Sequence, residues 1–272
     1  WATASTPPGV ELAHVMASEL FQAADEGIAV LVADRSLRLV AQIDPRGEAD
    51  GVDAALTALD RLAAEPAREV VMPAPVLILP RLLDADACAR LIARFEAGRH
   101  VEGAMASVDA DGAAISRIYA ARKHRRDLTL DPVEPLHAEV VAALAARLVP
   151  EIAKAFQVQV AHLDRILVAR YDDTGGYFRR HRDNSSAHLA YREFAVSVNL
   201  NTGEYTGGEL LFPEYNDHRH NPPAGAALAF SASLLHEAAP VRRGSRYVLL
   251  TFLHSDAAEA RRRAALAEAV KV

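Results

Sequence analysis

His181 and Asp183 stand two apart, in the stretch from Tyr171 to Asp183. On an extended strand, positions two apart send their side chains to the same face. An imidazole and a carboxylate held side by side make two members of a facial metal triad. His236, fifty-five residues further on, can supply the third, across an interval long enough for several strands to cross a barrel and return. Arg246 follows ten residues later and leads Val248, Leu250 and Phe252 on one strand face. A guanidinium heading an apolar, inward face is costly unless an anion compensates it. That anion is either a protein carboxylate or a bound diacid, and the order of the features favours the diacid.

The elements around these residues must bring them together. Short β-rich runs at 165–171, 176–181, 193–201, 208–212, 226–231 and 246–254 alternate with Gly, Pro, Asn and Asp turns. Such spacing predicts a β-sandwich or barrel. Within the central run, Ala195, Ser197 and Asn199 form a small, polar face that is expected to line the site, against Phe194, Val196, Val198 and Leu200. Helices precede this region. Asp84 is placed to N-cap a helix carrying Ala87, Leu91, Ile92 and Phe95, with Gly98 at its end. A longer helical pattern runs from about 133 to 156 and is broken or kinked at Pro150. Residues 100–130 read as weak strands, with the basic cluster Arg122-Lys-His-Arg-Arg126 as an exposed, solvated loop. Segments 100–130 and 214–224 are the expected walls of a substrate site. Arg261-Arg-Arg263 reads as the solvated face of a C-terminal helix.

Pro73, Pro75 and the Ala-rich stretch before them put a boundary near residue 70. This gives an N-terminal appendage over 1–72 and a main domain over 73–272. The chain opens with Pro7-Pro8-Gly9 and a weakly apolar helical stretch, Leu12 to Leu20. A hairpin (Ile28 to Val32, then Leu37 to Ile43) and a helix over about 52–64 follow. That order resembles the closing half of a thioredoxin or peroxiredoxin fold over about 50 residues. No cysteine lies in the segment, which excludes thiol chemistry there and leaves a structural or homodimerising role.

The composition bounds the function classes. A chain of 272 residues buries roughly 75% of its unfolded surface and needs neither disulfides nor metal to fold. Cys88 is the one cysteine, which rules out an internal disulfide framework, a multi-cysteine zinc site and a CxxC redox pair. A formal net charge of -6 argues against a general nucleic-acid or anionic-membrane binder. No apolar run approaches the ~18–20 residues that span a bilayer. The lone cysteine favours the cytoplasm, while a start at Trp1 is compatible with a trimmed leader.

Over roughly residues 75–255 the chain resembles the non-haem Fe(II)- and 2-oxoglutarate-dependent dioxygenases, in their prolyl 4-hydroxylase-like branch. The matching pattern is His181-x-Asp183, the distal His236, then Arg246 about ten residues on. Supporting matches are Tyr171, Arg192, Val198-Asn-Leu-Asn201, Gly207-Gly-Glu-Leu-Leu-Phe-Pro213 and Pro223 to Phe230. The resemblance implies an α+β chain with a double-stranded β-helix (jelly-roll) core backed by helices, carrying a small N-terminal α/β appendage. It implies that His181, Asp183 and His236 bind Fe(II), leaving positions for 2-oxoglutarate and O₂. It assigns Arg246 to the distal carboxylate of 2-oxoglutarate and Tyr171 to a hydroxyl near that co-substrate, with ascorbate as an accessory. Relatives often carry an aromatic hydroxyl where Asn199 stands, so Asn199 becomes a second donor to the carboxylate. Retention of Asp183 favours hydroxylation over halogenation. The implied reaction hydroxylates a prolyl or peptidyl residue, an amino acid or a small metabolite, releasing succinate and CO₂.

Other residues carry blander readings. His218 and His220 fall in a Pro/Asn-rich loop, His188 in another loop, and His254 on a strand. Tyr177 and Arg180 flank the first ligand and serve packing or the substrate entrance equally well. Cys88 shares a helical face with Ala87, Leu91 and Ile92 and reads as a buried thiol. Two non-enzymatic or different readings compete: a barrel that senses or binds a ligand without turnover, and a cupin-type metalloprotein, which has no need of Arg246.

Overall fold

A computed structural model describes residues 30–33, 39–43, 51–60, 72–108, 114–119 and 121–269. The chain divides into two compact units, Trp1–Glu69 and Val70–Val272. In the first, strands Val30–Ala33 and Leu39–Ile43 pair antiparallel, with Val30 opposite Ile43, and a helix spans Gly51–Asp60. The expected helix at 12–20, the turn at Asp34–Ser36 and the boundary stretch at 63–71 lie outside the described residues.

The second unit is built on two antiparallel sheets. The larger runs Val76–Leu79, Ala227–Ser231, Phe194–Asn199, Ser245–His254, Leu167–Asp172, Arg126–Thr129 and Val101–Glu102, with His162–Leu163 also paired to the long strand. The smaller runs Leu210–Leu211, His236–Ala238, Tyr177–His181 and Lys123–His124. Period-two alternation divides the larger sheet's residues between two cores. Ile166, Val168, Val196, Val198 and Leu249 join the helical side. Leu167, Ala169, Tyr171, Ala195, Leu228, Phe230 and Val248 join the other core, with Leu210, Phe212 and Ala238 from in and around the smaller sheet. Burial on both faces explains why the central strands read as nearly continuous apolar runs.

The helices that back the sheet begin with Ala85–Ala97, where the Asp84 side chain accepts the Ala87 amide at 2.7 Å. Its buried stripe is Ala87, Cys88, Leu91 and Phe95. Burial pushes the Cys88 thiol up to about 11, as suits a packing residue. The 133–156 pattern forms helix Pro135–Ala143, a π-helical turn Leu144–Leu148 and helix Val149–Phe156. Pro150 has no amide hydrogen, and its ring crowds the carbonyl of Ala146. The expected break takes the form of this wider turn, which accommodates the proline while helical structure resumes at Val149. Leu144, Leu148 and Ile152 stay buried along it. Among the described residues no helix is long and apolar enough to cross a membrane.

Gly225 joins the first helix to the sheet. Its φ is +77°, its amide donates to Asn199 O at 2.8 Å, and its carbonyl accepts Leu83 N at 3.0 Å. A Cβ there would lie 2.1 Å from Leu83 O. Gly225→Ala combines left-handed strain of ~1–2 kcal/mol with that backbone clash, and is expected to lower the urea-unfolding free energy by more than ~2 kcal/mol. Equilibrium denaturation followed by circular dichroism checks this.

Candidate metal centre

The sheet register brings the two histidines together. His181 ends the strand Tyr177–His181 and pairs directly across with His236, which begins the strand His236–Ala238. Asp183 follows just past the strand end, where its amide donates to Ala232 O at 2.9 Å. One carboxylate oxygen lies 3.4 Å from His181 Nε2 and the other 3.4 Å from His236 Nε2. The three candidate ligand atoms lie within 4.8 Å of one another, and among the described residues no other group of three His, Cys, Asp or Glu is arranged to hold a metal.

Each imidazole is set as a ligand by the peptide two residues before it. His181 Nδ1 donates to Arg179 O at 2.7 Å, and His236 Nδ1 donates to Leu234 O at 3.0 Å. A carbonyl can only accept, so Nδ1 carries the proton and the Nε2 lone pair faces the shared space. Phe178 stacks on His181 with centroids 3.4 Å apart, and Phe230 meets His236 edge-on at 4.8 Å. Burial pushes the His236 imidazole down to about 4, which keeps it neutral at ordinary pH. Burial alone would raise Asp183, but the neighbouring imidazoles and Arg192 overcome it and hold the carboxyl below its ordinary value.

Arg246 is 2% exposed, near the head of the strand Ser245–His254. Its Nη2 donates to Asn199 Oδ1 at 2.9 Å, its Nε has no partner, and no carboxylate of the described residues pairs with it. Gly208, at φ +71°, lets the chain pass over it, since a Cβ there would sit 2.7 Å from Arg246 Cδ. Tyr171 lies directly across from Arg246, its ring 5.3 Å from the guanidinium carbon. Ser197, also buried, presents an unpartnered Oγ to the same cavity. The cavity thus offers two imidazole nitrogens and a carboxylate to a divalent cation, and a buried cation with a spare donor to an anion. Fe(II) with 2-oxoglutarate fits that donor set.

Asn199 differs from the expected carboxylate donor. Its Nδ2 donates to Asn221 Oδ1 and Pro222 O, both at 3.0 Å, so its hydrogens are spent on the loop and its oxygen holds Arg246. It therefore positions the arginine. Segment 214–224, an expected wall, supplies none of the residues lining the cavity or the cleft outside it, and instead holds site residues through Asn221, Pro222 and Glu214. Glu214 pairs with Arg182 and accepts Leu235 N at 2.9 Å. His220 packs edge-on against Phe212, and His254 is buried against Glu259 at 3.0 Å.

The basic cluster is the clearest correction. Arg122 and Arg126 are exposed, but Lys123 and Arg125 are only 4% and 8% exposed. Alternation in the extended chain sends Lys123, Arg125 and Asp127 inward together. Arg125 Nη1 donates to the Tyr171 hydroxyl at 2.9 Å, and Arg125 and Lys123 share Asp127. The available signal was the two-residue spacing of Lys123, Arg125 and the acidic Asp127.

Burial and the adjacent Arg125 hold the Lys123 ammonium down to about 7, against 10.5 ordinarily. Between those values the unfolded chain binds more protons than the folded one, so stability rises with pH through that window. Below about pH 7 the penalty is fully present. Lys123→Met is therefore expected to gain most in melting temperature, relative to the parent, near pH 6, with the gain shrinking toward pH 10. Calorimetric scans across that range check it, and a gap that does not vary with pH counts against it.

Residues 166–254 match the family described as the 2OG-Fe(II) oxygenase superfamily. A PKHD-type hydroxylase of Janthinobacterium sp. (strain Marseille) is 26% identical over 201 residues, covering 71% of this chain and 84% of that protein. One of Nitrobacter winogradskyi is 31% identical over 102 residues, covering 35% of this chain and 45% of that protein. For most of these curated relatives, the chain spans less than half of their length. Among solved structures, a Pseudomonas putida prolyl-4-hydroxylase superposes with a TM-score of 0.50 at 20% identity, covering 67% of this chain and 93% of that one. A Trichoplax adhaerens prolyl hydroxylase, solved with a hypoxia inducible factor peptide fragment, gives 0.50 at 17% identity, covering 70% and 86%. These two show a shared fold.

Proposed function

We propose that this protein is an Fe(II)- and 2-oxoglutarate-dependent hydroxylase of the prolyl 4-hydroxylase-like kind, starting from the match of residues 166–254 to the 2OG-Fe(II) oxygenase superfamily. The observation that carries the reading is the conjunction of two sites in one cavity. His181, Asp183 and His236 converge on one point, and Arg246 lies in the same cavity with no carboxylate to answer it. The two-sheet arrangement supports a double-stranded β-helix core.

The residues divide the work. His181, Asp183 and His236 hold the cation on one side, with both Nε2 lone pairs aimed by the Arg179 and Leu234 carbonyls. Arg246 binds the distal carboxylate of 2-oxoglutarate, and Asn199 keeps its guanidinium in place. Tyr171 lines the same cavity beside Arg246, and its hydroxyl accepts from Arg125, which also lines the outer cleft. Phe178, Phe230, Leu250 and Phe252 exclude water around the reacting centre. When bound, Fe(II) and 2-oxoglutarate supply the activation of O₂ that hydroxylates the substrate, with succinate and CO₂ as the other products.

His181→Ala is expected to abolish both stoichiometric Fe(II) binding and succinate formation. Arg246→Gln is expected to keep iron and raise the half-saturating 2-oxoglutarate about 10- to 100-fold, the loss of one charged hydrogen bond of ~1.5–3 kcal/mol. Metal analysis and a succinate assay read both. Iron bound without any 2-oxoglutarate turnover in the parent protein would instead favour a sensing barrel.

A further inference from the structure

Outside the metal cavity lies a cleft of about 640 Å³ whose floor includes His181 and Asp183. Its wall is strongly cationic. Arg182 and Arg192 line it but are answered by Glu214 and Asp164. That leaves Lys123, Arg125, Arg122 and Arg165 facing only Asp127 and Glu102. Lys123 and Arg125 are both buried, and the single carboxylate of Asp127 serves the two of them. Arg165 and Arg122 form no ion pair among the described residues, and the charge of Arg165 reaches Lys123.

The loaded centre does not absorb this excess. A divalent iron and Arg246 together balance Asp183 and the two carboxylates of 2-oxoglutarate. Arg125 stays charged, whereas Lys123, held down to about 7, is only partly charged at neutral pH. A bound anion favours its protonation and is what repays the buried charge. The protein as a whole carries a formal net charge of -6, so the cationic lining of this cleft runs against the overall balance. Arg125 lines both the metal cavity and the cleft, which puts the excess charge beside the reacting centre.

We propose that the substrate carries a carboxylate close to the carbon that is oxidised, and that Lys123 and Arg125, with Arg165 and Arg122 at the rim, receive it. The inference rests on the hydroxylase reading above. The carboxylate belongs either to a free acid or to an acidic side chain of a peptide, and paired ligands separate those sources.

The iron-loaded protein, held without oxygen and saturated with 2-oxoglutarate, is titrated calorimetrically with N-acetyl-proline against N-acetyl-prolinamide. A second arm uses the peptide acetyl-Glu-Pro-Glu-amide against acetyl-Gln-Pro-Gln-amide. In at least one arm the acid is expected to bind about tenfold more tightly than its amide, and the arm that responds identifies the source. Arg165→Gln and Lys123→Met are each expected to reduce that preference by about three- to tenfold while moving the amide little. Acid and amide binding alike, neither acid binding below about 10 mM, or both ligands weakened equally by the variants overturns the proposal. Succinate formation from added 2-oxoglutarate by the iron-loaded parent protein in air, with and without the four ligands, tests the underlying reading separately. Its absence removes that reading whatever the titrations give.

Discussion

A guanidinium buried without a carboxylate is the constraint around which the main unit is arranged. Arg246 is almost wholly removed from water, and its one polar contact among the described residues is the oxygen of Asn199. Arginine cannot escape that cost by shedding its proton. The surrounding chain is therefore committed to holding it. The Asn221–Pro222 loop fixes the Asn199 amide, Tyr171 lies beside the guanidinium, and Gly208 yields the space a side chain would occupy. Such an arrangement makes sense as one half of an ion pair whose other half is a ligand.

The metal face follows a different logic, because it is set by register more than by charge. Pairing of His181 with His236 across two short strands places both rings on one side, and a slip of one residue would send one ring to the far face. The loop that carries Asp183 is tied to the turn before His236 by backbone and Asn184 side-chain bonds. The ligands thus reach their positions through the antiparallel topology, with the larger sheet, its central strands buried on both faces, as support.

Much of this was legible in the sequence, for physical reasons. Turn residues punctuate the strands at the observed places, and the His-x-Asp spacing shares a face wherever the backbone is extended. Arg246 at the head of an apolar face announced its own cost. Lys123 and Arg125 were hidden because a run of five basic residues shows no hydropathy alternation, although its backbone alternates. Asn199 could be placed on the right face but not assigned its partners, which come from a loop more than twenty residues away. The π-helical turn before Pro150 was equally hidden, since a sequence records the proline and not how the helix absorbs it.

The carbonyls of Arg179 and Leu234 aim the two imidazoles without any help from a metal. A site this prearranged gains little selectivity from folding around its ion. Two nitrogens and one carboxylate bind cobalt, nickel, copper and zinc at least as well as iron, following the general order of divalent affinities. The protein therefore has little means of its own to refuse the wrong metal. On the proposed reading, loading with iron depends on which ions the surroundings supply, and excess zinc or copper would act as an inhibitor that leaves the fold untouched.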